Sequence, residues 1–164
     1  MKAASIYVRN SHFYIVPLAS IIVGVYVGVE PVVVIADTVS DETLGQNILD
    51  TVALPVPKVP KPESSAEWTQ YGKPLLKAAK VRSWKAFMDG SQLINIEQDV
   101  DGMIELLPTV NNGKSFSHRP KNIQVLSSDC TPAELGKAVR HLFQEIIDAA
   151  RVQIPLGRTF KKNR

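Results

Sequence analysis

The chain is short of the residues that catalysis and metal binding draw on. It has one cysteine, Cys130, so it can close no disulfide within itself and cannot assemble a thiolate zinc cluster; a single thiol fits a reducing compartment. Its three histidines, His12, His118 and His141, lie far apart, and none stands in a His-Glu-x-x-His, His-x-Glu or Cys-x-x-Cys context. There is no Gly-x-Ser-x-Gly elbow, no phosphate loop and no Gly-x-Gly-x-x-Gly; Gly24-Val25-Tyr26-Val27-Gly28 is too short and too β-rich to cradle a phosphate. Asp99-Val100-Asp101-Gly102 has the opening of a calcium loop, but Val110 stands where the bidentate acid belongs, which leaves a turn. Cys130 precedes a helix cap, a place that can lower a thiol pKa, yet no histidine is near it in sequence to act as a base. These absences predict no catalytic residue, no cofactor and no metal, and a protein that is not an enzyme.

What is present describes an ordinary globular chain. Of 164 residues, 45% are hydrophobic and 21% charged, enough for one compact domain. Nineteen Lys and Arg against sixteen Asp and Glu give +3. Arg158, Lys161, Lys162 and Arg164 sit in a basic tail, so the body is near neutral and a broad nucleic-acid binder is not expected. The apolar run Phe13 to Val29 behind Lys2 has the length of a signal peptide or short span. Pro17, Gly24, many β-branched residues and a second apolar run at Val32 to Ala36 read instead as buried strands.

Along the chain, Ser5 to Arg9 and His12 to Leu18 flank Asn10-Ser11, a pair suited to a tight hairpin turn. Ile21 to Val29 and Val32 to Asp37 read as third and fourth strands. Ser40-Asp41-Glu42 caps a helix carrying Leu44, Ile48 and Val52 on one face. The prolines at 55, 57, 60 and 62 make 54–63 a stiff connector. Glu67 to Met88 reads as two helical pieces separated near Gly72-Lys73-Pro74, anchored by Trp68, Tyr71, Leu75, Leu76, Trp84 and Phe87. Strands follow at Gln92 to Gln98, Met103 to Pro108 and Asn122 to Leu126. Thr131-Pro132-Ala133-Glu134 is then a capping box leading a helix with Leu135, Val139, Leu142, Phe143 and Ile146 as its stripe.

The two halves align at one gapless offset of 91 (108 minus 17): Pro17 falls on Pro108, Ser40 on Thr131, Leu44-Gly45 on Leu135-Gly136, Ile48 on Val139, and Val32 to Ile35 on Ile123 to Leu126. The expected fold is therefore α+β within a single domain over 1–164. Pseudo-repeats at 4–53 and 91–150, each of three or four antiparallel strands and a helix, are joined by a connector with short helices at 54–90, and the basic tail takes 151–164.

Two segments are candidates for contact with a partner. Glu97, Asp99, Asp101 and Glu105 gather acids on a hairpin face, which suits a cationic protein surface. Lys77, Lys80, Arg82 and Lys85 surround Trp84 and Phe87, a mixture that also occurs in single-stranded nucleic-acid binders. The plainer reading of the second segment is a helix that buries its aromatics and points its lysines at water.

Three segments resemble the CdiI immunity proteins of bacterial contact-dependent growth inhibition. They are Ala4-Ser5-Ile6-Tyr7-Val8 with Phe13-Tyr14-Ile15-Val16-Pro17, Val81-Arg82-Ser83-Trp84-Lys85-Ala86-Phe87, and Thr131-Pro132-Ala133-Glu134-Leu135-Gly136. The similarity runs over about 4–147, and the Ser-Trp-Lys-x-Phe segment is its most specific part. The resemblance implies a cytoplasmic protein that binds and neutralises the C-terminal toxin domain of a cognate CdiA, commonly a nuclease, with no small-molecule substrate and no membrane. It carries no catalytic motif and transfers no interface residue. The acidic residues Glu97, Asp99, Asp101 and Glu105 are thus the expected toxin contacts, and a single-stranded nucleic-acid binding module is the alternative.

Overall fold

A computed structural model describes residues 1–22, 24–56 and 58–152. Four strands come first, β1 (Lys2–Arg9), β2 (His12–Ile22), β3 (Val25–Gly28) and β4 (Val33–Ala36), and then α1 (Asp41–Ala53). The middle holds α2 (Ser65–Ala78) and α3 (Trp84–Met88). The rest is β5 (Gln92–Gln98), β6 (Ile104–Asn111), β7 (Phe116–His118), β8 (Gln124–Leu126) and α4 (Pro132–Val152).

The strands form one antiparallel sheet in the order β3-β2-β1-β5-β6-β7, with β4 also beside β2 and β8 also beside β6. At its centre β1 pairs with β5, placing Ser5 directly opposite Asn95. Asn10 and Ser11 both take positive φ, 46° and 59°, as the tight hairpin turn requires. The outer strands change partner at a proline in each half. β2 pairs with β4 through Ile15 and with β3 from Leu18, while β6 pairs with β8 through Leu106 and with β7 from Thr109. Pro17 and Pro108 sit in these gaps, and each carbonyl faces outward to accept 2.9 Å hydrogen bonds from Val29 and Arg119. The N–H that proline lacks points to that same edge, where no ladder bond is lost.

One face of the sheet is covered by α1 and α4. Ala4, Ile6, Phe13, Ile15, Ile94, Ile96, Ile104 and Leu106 meet Leu44, Ile48, Val52, Leu135, Val139, Leu142, Phe143 and Ile146 in the main core. The two helices cross where a glycine stands on each. A Cβ at Gly45 would lie 1.7 Å from the Pro132 carbonyl oxygen, and one at Gly136 would lie 1.9 Å from that of Asp41. Arg140 clamps the crossing: Nε donates to Asp41 Oδ1 at 2.7 Å, Nη1 donates to the Asp37 carbonyl at 2.6 Å and Nη2 donates to the Val39 carbonyl, with the guanidinium 5.3 Å from the centre of the Phe13 ring. The expected capping box is in place, Thr131 N–H donating to Glu134 Oε2 at 2.7 Å and Glu134 N–H to Thr131 Oγ1 at 3.2 Å.

The opposite face is covered only in part. There Leu75, Ala79 and Phe87 bury Tyr7, Tyr14, Val16 and Leu93. Leu93 on β5 and Thr109 on β6 are still buried, but toward the other end of these strands the same face opens: Glu105 is exposed, and Val125 beside it is 55% exposed.

The architecture is α+β, as expected, but several expected elements are redrawn. The third strand expected over Ile21 to Val29 is divided: β2 runs on to Ile22, and β3 begins after a turn at Gly24, whose φ is +78°. The break expected at Gly72-Lys73-Pro74 is absent, because α2 is continuous to Ala78 and the chain turns at Lys80, φ 56°. The carbonyl that Pro74 cannot serve belongs to Gln70 on the exposed half of the helix, where water can satisfy it. β6 extends past Pro108 to Asn111, and β7 is a further strand beyond those expected. Of the expected anchors Leu75 and Phe87 are buried, but Trp68 and Trp84 are 42% and 38% exposed. The basic residues at 157–164 lie outside the described residues. Among the described residues no helix is long and apolar enough to cross a membrane.

Candidate protein-binding surface

The four acidic residues separate into two roles. Glu97 and Glu105 stand directly opposite one another on β5 and β6, side by side on the open face. Like charges in that position repel, and among the described residues neither forms an ion pair. The negative charge of Glu97, after burial, helps push the Tyr26 phenol above its ordinary pKa. Asp99 is taken up by the turn: its Oδ1 accepts from the N–H groups of Asp101 and Met103, both at 2.9 Å, closing the loop around Gly102. Asp101 is exposed at the tip.

Between the covered and open halves of this face lies a cleft of about 660 Å³, with Tyr7, Leu93 and Asn95 in its floor and Trp84, Tyr26, Phe116, His118 and Glu97 around it. The edge of Tyr7 meets Phe87 at 5.2 Å and Phe116 at 5.8 Å between centroids, and Trp84 stacks on Phe87 at 5.4 Å. Burial pushes the Tyr7 phenol up to about 12, the Ser5 hydroxyl drawing it partway back. Ser5 Oγ donates to Asn95 Oδ1 at 2.8 Å, and Asn95 Nδ2 lies 3.2 Å from His118 Nε2, which makes that ring nitrogen the acceptor. This polar chain spans the central strand pair and fixes the floor.

Trp84 also walls a second, more apolar cleft of about 630 Å³, shared with Trp68, Thr69, Gly72, Leu76, Arg82 and Ser83. The sequence pattern of α2 and α3 marked both indoles as core. Signs to the contrary were Gly72 and Pro74, which leave α2 without an unbroken apolar face beside Trp68.

The remaining candidates do not gather. His12 hydrogen-bonds to the Asn10 carbonyl at 2.8 Å, and His141 lies 3.5 Å from Glu145 on the exposed side of α4. Partial burial, then the charges of Glu134 and Asp129, raise the Cys130 thiol pKa, the direction opposite to an activated nucleophile. Among the described residues no three His, Cys, Asp or Glu side chains group as metal ligands.

This geometry defines a class: an antiparallel sheet with two crossing helices on one face and a partly covered, aromatic-lined face on the other. Neither protein-family models nor curated proteins match the chain. Solved structures do. A protein of unknown function from Neisseria meningitidis is similar with a TM-score of 0.70 at 14% identity, over 88% of this chain and 94% of that one. A chain of the CdiA-CT/CdiI toxin and immunity complex from Yersinia pseudotuberculosis is similar with a TM-score of 0.66 at 17% identity, over 87% of this chain and 95% of that one. The likeness is one of fold.

Proposed function

We propose that the chain is an immunity protein, acting in the cytoplasm, that binds the C-terminal toxin domain of a cognate CdiA and neutralises it by covering its active site or substrate surface. The observation that carries the reading is the fold shared over 87% of the chain with a member of a toxin and immunity complex. The face left open between Trp84 and Glu105 supports it. Stoichiometric inhibition needs a pre-formed surface of standard size, and exposed indoles beside unpaired charge are what such surfaces present. The strand-and-helix unit is, in the same reading, duplicated: the β6–β8 pairing repeats the β2–β4 pairing 91 residues on (105 minus 14), and Gly45 and Gly136 meet the Pro132 and Asp41 carbonyls reciprocally.

The acidic contact is carried by Glu97, Asp101 and Glu105, with Asp99 holding the hairpin in shape. Co-expression with the toxin tests this. The wild-type chain restores growth and co-purifies with the toxin, while charge reversal at Asp101 and Glu105 slows association and weakens protection. A chain that neither binds the toxin nor restores growth sinks the proposal, and association rates untouched by both reversals remove the hairpin from the interface. The alternative, a single-stranded nucleic-acid module, is favoured by the exposed indoles of Trp68 and Trp84 beside Arg82.

A further inference from the structure

The N-terminal half of α2 packs against little of its own protein. Every residue from Ser65 to Gln70 is exposed, and on the whole helix Leu75 is the buried residue. Its first turn is held by a capping box, Glu67 N–H donating to Ser64 Oγ at 3.3 Å and Glu63 N–H to Glu67 Oε2 at 2.8 Å. A helix with so small a buried face is marginal in water, yet this one carries Trp68, and both tryptophans of the chain wall one cleft.

Two further features describe what the cleft would hold. Gly72 lies in it, mid-helix, where only proline is less favourable, and a Cβ there would meet nothing within 4 Å. No packing inside the chain accounts for the glycine, whereas a bare helix surface lets a second backbone approach. Arg82 is the one charged wall; among the described residues no acid pairs with it. No Asp or Glu occurs from Trp68 to Met88. A track for a nucleic-acid backbone would line cations up beside the indoles. Lys77 and Lys80 instead line a separate cleft with Glu30 and Pro31.

We infer that the Trp68–Trp84 cleft is a docking site for an acidic, apolar segment of the partner protein: a large apolar side chain enters between the indoles over Gly72, and a carboxylate meets Arg82. This rests on the reading of the chain as a toxin-binding protein and adds the partner's polarity. Through Trp84 the cleft adjoins the larger one that reaches Glu97. The partner therefore presents an acidic apolar element at α2 and a cationic one at the β5–β6 hairpin.

The test titrates the full chain, read by tryptophan emission, with two short peptides of identical leucines, one flanked by glutamates and one by lysines, and with oligo(dT). The glutamate peptide shifts the emission to the blue and saturates. Arg82→Glu weakens it about tenfold or more, as does Trp68→Ala, whose exposed site leaves the thermal melt unchanged. Equal or tighter binding of the lysine peptide, no response to either peptide, or indifference to Arg82→Glu overturns the inference. So does saturable oligo(dT) binding with a steep salt dependence, which would make the cleft a nucleic-acid platform. Protection assays separate this from the broader reading. If wild type, Arg82→Glu and Trp68→Ala all protect equally against the toxin, the cleft is excluded and the immunity role stands. If wild type fails to protect while the glutamate peptide still binds, the cleft stands and the immunity role falls.

Discussion

The two halves of the sheet lie against one layer of helices, α1 chiefly on the first and α4 chiefly on the second, and differ on their backs. Tyr14 on β2 and Glu105 on β6 occupy matching places, paired with Val34 and Val125 respectively. Tyr14 is 5% exposed beneath Phe87, their rings 6.0 Å apart, whereas Glu105 is exposed with Val125. The difference comes from the segment inserted between the halves: α2 and α3 fold back over the first and reach only the near end of the second, leaving Glu105 and Val125 uncovered. The sheet is thus uncovered at its Glu105 end, and the indoles of Trp68 and Trp84 are partly exposed as well.

Truncation at the matched sites measures this asymmetry most strongly. Tyr14→Ala should cost about 3–5 kcal/mol in urea unfolding, and Glu105→Ala should stay within about 0.5 kcal/mol; similar costs at both would show that the second half is also covered. The shared face should respond alike in both halves. Gly45→Ala and Gly136→Ala each drive a methyl into a backbone carbonyl and should each lose about 3 kcal/mol. A loss at one glycine alone would break the reciprocity of the helix crossing.

Tyr7, at the seam, gives a pH signature. Its folded pKa of about 12 lies above the ordinary 10, so the fold favours the neutral phenol. That preference is intact below pH 10 and is lost as the pH rises from 10 through 12, by roughly 2–3 kcal/mol. Thermal melts of Tyr7→Phe should lack this alkaline decline. The smallest effect belongs to the uncovered end. Glu105→Gln relieves the repulsion with Glu97 and should stabilise by a few tenths of a kcal/mol, about 0.5 at most, visible as a higher urea midpoint.

Much of the scaffold is readable from local pattern. Asn10-Ser11, the caps at Ser40 and Thr131, and the stripes from Leu44 to Val52 and Leu135 to Ile146 act through neighbours within a few residues, so spacing suffices to find them. The partly open face is different. Trp68 and Trp84 look like core because large aromatics usually are, and their exposure depends on where α2 stops touching the sheet. The acids of 97–105 were visible as a group, but not that Asp99 is spent on its own turn while Glu97 and Glu105 confront each other, since cross-strand register decides both.

What the linear order of residues determines here is the alternation and periodicity that make strands and helices, the turns that join them, and the lack of any grouped catalytic motif, because these arise from short-range sterics and hydrogen bonding. Which side of the sheet is closed, which indoles remain in water, and which charges face one another were decided only by tertiary packing. Burial is a property of elements distant in sequence, and the area each covers depends on where the others have already settled.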